Sequence, residues 1–127
     1  MTAAAAPAIA VPRVLVWRHG RTSWNAEGRF QGQLDPPLDA VGRDQAGSAA
    51  AQLAQVLPRT GTVVACSDLV RAADTAEALA ALLGVPLRRD PRLRELSLGS
   101  WEGLTRQDVA ERHPEQYADW MAGRPVR

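Results

Sequence analysis

RVLVWRHG, residues 13–20, is the stretch on which the reading of this chain turns. Its first five residues are an apolar, partly β-branched run, which predicts a short buried strand over Arg13–Trp17. Arg18-His19-Gly20 then ends the run, bringing charge, an imidazole and a glycine together. In open parallel sheets, ligands gather at the carboxyl ends of strands, and His19 lies just past such an end.

Working outward, residues 20–37 are rich in Gly, Asn, Asp and Pro and are expected to form a loop, with Pro36-Pro37 stopping any earlier helix. Asp39 can cap a helix running to about Leu57, with Ala46, Ala50, Leu53 and Leu57 at helical spacing. Gly42 and Gly47 weaken that helix, so packing must hold it. A second strand is expected over Gly61–Cys66. Ser67 is placed as the cap of a helix over about Leu69–Leu83, stopped by Gly84. Val85–Arg88 is a third short strand. Thr105 with Asp108 marks a helix start of the capping-box kind, and Pro114 can begin a last helix through Trp120. Strand–helix–strand–helix–strand argues an α/β chain with a parallel sheet and covering helices.

Composition narrows the partners. The 127 residues suit one domain, with residues 1–12 (MTAAAAPAIAVP) as an Ala/Pro tail and 13–127 as the folded part. The formal charge is +1, and the densest basic stretch, Arg88–Arg94, is interrupted by an acid. Neither a nucleic-acid face nor a membrane surface segment is expected from this balance. No run approaches the ~20 apolar residues of a membrane helix, and the N-terminus lacks the basic start of a signal peptide, so the cytoplasm is the expected compartment. Cys66 is the only cysteine, which rules out an internal disulfide, and its apolar setting predicts a buried structural thiol.

The second strand ends as the first does, at polar residues: Ser67, Asp68 and then Arg71. Arg18, His19 and Arg71 can therefore converge at one sheet edge. Guanidinium groups present forked donors that match phosphate oxygens. At ~4 Å and an effective dielectric near 20, each charge pair contributes about 4 kcal/mol, enough to favour a dianion over a neutral ligand. Taken singly, each residue has an ordinary reading: His19 as a satisfied core or surface residue, Arg71 paired with Asp68 or Asp74 along its helix, Glu95 as one more loop acid.

The combination carries more. RHGRTSWN (18–25), RFQGQLDPPLDAVGRDQA (29–46), SDLVRAADTAEAL (67–79) and RLRELSLGSWEGL (92–104) resemble, in order, four blocks of the histidine phosphatase superfamily, phosphoglycerate-mutase-like branch. That resemblance implies a three-layer α/β/α fold of the phosphoglycerate-mutase-like kind. It implies His19 as the nucleophile that becomes phosphohistidine and Glu95 as the acid and base for the leaving oxygen and water. Arg18, Asn25 and Arg71 would bind phosphate, with Gln31 and Gly32 contacting substrate or phosphate from the loop. Neither metal nor cofactor is implied, and the partner is a small phosphorylated substrate such as a sugar or glyceryl phosphate. The blocks look more like the phosphatase branch than the mutases.

The resemblance stops short of the family's C-terminal third, including a second pocket histidine. His113, in ERHPEQYADW, is expected on a helix surface and is not that residue. In the resembled fold, later strands flank the first strand on both sides. Residues 13–17 should therefore lack their neighbours, leaving the sheet incomplete and the chain open to a second reading as a non-catalytic phosphate-binding fragment. The oligomeric state is not legible.

Overall fold

The structure, a computed structural model, describes residues 13–126. The tail read into residues 1–12 lies outside the described residues. The elements, in chain order, are α1 (Ser23–Glu27), α2 (Ala40–Val56), β1 (Val64–Cys66), α3 (Val70–Leu83), β2 (Leu87–Arg89), α4 (Arg106–Arg112) and α5 (Pro114–Met121), with single 3₁₀ turns at Pro91–Leu93 and Gly99–Trp101.

β1 and β2 pair in parallel, with Val64 opposite Leu87 and Cys66 opposite Arg89. Side chains alternate across a strand. Val64 and Cys66 turn inward toward α3, while Ala65 between them is exposed. α3 packs on both strands, and α2 packs along α3. Small residues make the second contact possible: Ala50 of α2 and Ala73, Ala76 and Ala80 of α3 let the helix backbones approach, with Leu79 and Leu83 filling the core. Burying a leucine stabilises the fold by about 1.5–3 kcal/mol. Cys66 is buried among them, and that burial pushes its thiol pKa up, which suits an inert core thiol.

The helices of the sequence reading appear within a residue or two of their expected ends. Asp39 caps α2 through Gly42 N–H, and Gly84 closes α3 in the left-handed region at φ 66°. Thr105 and Asp108 form the reciprocal capping box of α4.

Four expectations are corrected. The strand over Arg13–Trp17 does not form: Val14 is 82 % and Val16 92 % exposed, and no ladder partner for this segment exists among the described residues. A strand needs a neighbour to take its backbone N–H and C=O groups, and apolar composition does not supply one. Only Trp17 packs against the core. The three-layer arrangement is therefore present in part, as an incomplete α/β fold. Ser67 does not cap α3; its hydroxyl accepts from Leu69 N–H at 3.3 Å, and Asp35 from the preceding loop receives Val70 N–H at 2.7 Å. The 20–37 loop contains α1, capped by Thr22 and closed by Gly28 at φ 69°. His113 lies at the junction of α4 and α5, half-buried, with φ −132°, rather than on a helix face.

A second packing centre holds the loops. Phe30 meets Trp101 at 5.3 Å and Trp120 at 5.5 Å between ring centroids, with Arg106 over the Trp120 ring. Backbone bonds from Phe30 N–H to Leu104 O and from Gly103 N–H to Phe30 O fix the 29–33 segment against residues 101–105. The loop carrying Gln31 and Gly32 is thus set by aromatic packing.

Candidate active site

The turn that bears His19 is held by the helices. Gly20 N–H donates to Thr75 Oγ1 at 3.0 Å, and that hydroxyl donates to Arg71 O at 2.7 Å. Arg21 N–H donates to Gln45 Oε1 of α2, while Arg21 O accepts from Asp39 N–H. Gly20 and Gly42 face each other so closely that a Cβ on Gly20 would collide with the Gly42 carbonyl, and one on Gly42 with the Arg21 carbonyl. The glycine that weakens α2 by propensity is therefore what lets the turn sit on it.

His19 is half-buried, and its Nδ1 lies 2.7 Å from Gly20 O. A carbonyl can only accept, so Nδ1 carries the proton and Nε2 keeps its lone pair. Burial lowers the His19 pKa below the ordinary histidine value. The Gly20 hydrogen bond opposes this, Arg71 and Arg18 reinforce it, and Glu95 opposes it. The lowered pKa favours the neutral ring, in which Nε2 is the unprotonated nitrogen.

Arg71 departs from its ordinary reading. It is only 3 % exposed and, among the described residues, forms no ion pair with a carboxylate: Nη1 donates to Leu34 O and Nη2 to Gly32 O, each at 2.7 Å. Asp68 instead pairs with Arg94 at 2.6 Å. A guanidinium carries five N–H groups, so two backbone bonds leave donors for a ligand. Burial lowers its pKa, with Asp35 and Glu95 acting in the other direction. Arg18 is exposed and makes no hydrogen bond or ion pair among the described residues.

Arg18, Asn25, Gln31, Gly32, Arg71 and Glu95 line one open cleft of about 290 Å³. All five binding residues read from the sequence, together with the proposed acid, are gathered there. His19 does not line this cleft: it lines a second cavity of about 200 Å³, with Gly20, Gln45 and Thr75, that shares Arg18 with the cleft, and it lies within electrostatic reach of Arg18, Arg71 and Glu95. His113 does not line the cleft. Glu95 is exposed, its Oε1 accepting Leu96 N–H at 3.0 Å. Gly32 has φ 54° and presents its carbonyl to Arg71. The cleft joins two guanidinium groups, two side-chain amides and one carboxylate, with the imidazole in the adjoining cavity. It offers donors to an oxyanion and a carboxylate that can move a proton.

Sequence reasoning missed Thr22, Thr75 and Gln45. Thr75 had a signal: it is a polar residue four positions after Arg71, on the stripe that α3 buries. Thr22 had one too, as the first residue of a Thr-x-x-Asn capping pair. Among the described residues, no three His, Cys, Asp or Glu side chains gather as a metal ion requires.

An α/β chain with this cleft belongs to a known class: over residues 14–127 it matches the histidine phosphatase superfamily (branch 1), and it is a member of that family. It is 44 % identical over 110 residues to the glucosyl-3-phosphoglycerate phosphatase of Mycolicibacterium vanbaalenii, covering 87 % of this chain and 48 % of the relative. It is 38 % identical over 113 residues to a metal-independent phosphoserine phosphatase of Arabidopsis thaliana, covering 88 % and 47 %. The structure of a mycobacterial glucosyl-3-phosphoglycerate phosphatase in complex with VO3 superposes with a TM-score of 0.74 at 42 % identity, over 80 % of this chain and 47 % of that one. The chain thus spans about half the length of the relatives it matches. No helix among the described residues is long and apolar enough to cross a membrane.

Proposed function

We propose that this chain carries the phosphoryl-transfer site of a phosphomonoester hydrolase, with residues 13–127 as the N-terminal part of a single domain. Nε2 of His19 attacks phosphorus in line. The P–N bond forms as the ester P–O bond breaks, and Glu95 protonates the leaving oxygen. Water then attacks phosphohistidine, Glu95 takes its proton, and the P–N bond breaks to release phosphate and neutral His19. Arg18 and Arg71 hold the equatorial oxygens and stabilise their charge, with Asn25, Gln31 and Gly32 completing the cradle. The substrate class is a small phosphorylated metabolite, a sugar or glyceryl phosphate, as the likeness to glucosyl-3-phosphoglycerate phosphatases supports. The compartment proposed for the chain is the cytoplasm.

The observation that carries this reading is the Nδ1–H bond of His19 to Gly20 O, which leaves the attacking nitrogen unprotonated beside two arginines. The test is phosphate release from an aryl phosphate in EDTA, by this chain and by His19→Ala. Turnover lost in the variant supports the reading; equal turnover in both sinks His19 as the nucleophile.

A second reading, phosphate binding without turnover, is favoured by two observations. His113 stands outside the cleft, and the segment just before Arg18 is uncovered. Thermal stabilisation by millimolar phosphate or vanadate with no phosphate release from either variant would establish it.

A further inference from the structure

Thr22 is fully buried, at 0 % exposure, between the two side-chain amides of the cleft. Its hydroxyl oxygen accepts Asn25 N–H at 3.1 Å, the bond that caps α1. That bond uses one lone pair and leaves the hydroxyl proton to be placed. Gln31 Oε1 is 2.6 Å away and Asn25 Oδ1 is 3.1 Å away. A heavy-atom separation of 2.6 Å is ordinary for O–H···O and short for N–H···O, so the proton belongs to Gln31 and the Gln31 atom facing Thr22 is oxygen. The backbone settles the other amide. Thr22 N–H stands 3.0 Å from the Asn25 side chain and can only donate, so the atom facing it is Oδ1.

Both amide oxygens are therefore engaged by Thr22, which leaves the NH₂ groups as the ends available to a ligand. Asn25 and Gln31 line the cleft together with Arg18 and Arg71. We propose that Thr22 is a positioning residue that locks the Asn25 and Gln31 amides so that only donors face the phosphoryl oxygens. The inference rests on the phosphoryl-site reading. Every polar group it aims at that end of the cleft is a donor, which suits an acceptor-only phosphate dianion. Either amide flipped would aim a carbonyl oxygen at the ligand. A capping role alone requires only that Thr22 accept a bond; the donated bond to Gln31 is what capping leaves unexplained.

The test uses the full chain with Thr22→Val, which keeps the shape and removes the hydroxyl, and Thr22→Ser, which restores it. In wild type, NMR should show at most weak cross-relaxation between the Thr22 methyl and the amide protons of Asn25 Nδ2 or Gln31 Nε2. Strong cross-relaxation to either would overturn the lock without any variant or ligand. Loss of one amide contact should weaken inorganic phosphate binding by about tenfold in Thr22→Val, while Thr22→Ser stays near wild type. Gln31→Met supplies the control: because Thr22 acts through Gln31, adding Thr22→Val to it should cost less than in wild type. A Thr22→Val chain that melts earlier yet binds phosphate as tightly as wild type reduces Thr22 to a helix cap and overturns the proposal. A wild type that binds no phosphate but keeps both amides turned from Thr22 supports the lock and removes the phosphoryl-site reading.

Discussion

TVVAC (62–66) and RVLVW (13–17) are nearly equivalent as strings, yet they have opposite fates. The first supplies β1, with Val64 and Cys66 buried under α3 and its backbone paired to β2. The second forms no strand: Val14, Leu15 and Val16 are exposed, and no ladder partner for them exists among the described residues. A β-branched run is permission to form a strand, and the strand exists only where another chain segment answers its hydrogen bonds. The same contrast explains how His19 is placed. Its turn is held from α2 and α3, through Gly42, Gln45 and Thr75, so the turn keeps its place although the strand leading into it does not form.

The largest test of this contrast is a pair of core and edge truncations. Leu79→Ala, in the β1–α3 core, should cost about 2–5 kcal/mol in urea unfolding, whereas Val16→Ala should stay within about 0.5 kcal/mol. Comparable losses at both sites would mean that residues 14–16 are packed in solution.

Next come two glycines of one helix. Gly42→Ala forces a methyl into the Arg21 carbonyl and should destabilise by about 1–3 kcal/mol, pulling the His19 turn away from α2. Gly47→Ala meets nothing within 4 Å and should stabilise by about 0.5–1 kcal/mol through helix propensity. Like signs in a thermal melt would show that propensity, rather than the close approach at Gly42, governs α2.

The smallest expected effect is electrostatic. With its pKa lowered chiefly by burial, His19 takes up its proton at a lower pH than an ordinary histidine. Between those two pH values the native state binds fewer protons than the unfolded chain. The stability from neutral His19 is therefore whole above the unfolded pKa and is lost as pH falls toward the folded one. The acid limb of kcat/KM should lie correspondingly low. Arg18→Gln removes one of the two arginine contributions and should move the His19 titration, followed by NMR, upward but only part of the way. A limb at or above the ordinary histidine value would contradict the buried, cation-flanked placement of the ring.

Helix ends were readable because their signals are local: Asp39, Gly84 and the Thr105–Asp108 pair act within a few residues of themselves. The cleft residues were readable by type and order in four blocks, and the structure gathers them. α1 was passed over because glycine and proline around it dominate the local composition, although Thr22, Asn25 and Gly28 carry its cap and stop. The cap of α3 was misassigned to Ser67 because the group that serves it, Asp35, lies 35 residues away.

By itself, then, the sequence determined the four helices from α2 to α5, the family and which residue types line the cleft. Each depends on side-chain type and short-range spacing. Only the tertiary structure decided that Arg13–Trp17 would not be a strand, that Gly42 is a contact point before it is a helix weakness, and that Arg71 is anchored by carbonyls instead of an acid. It alone showed Thr22 facing both amides. These outcomes depend on partners far away in the chain, and hydrogen-bond and steric terms act only once folding has brought the partners within a few ångströms.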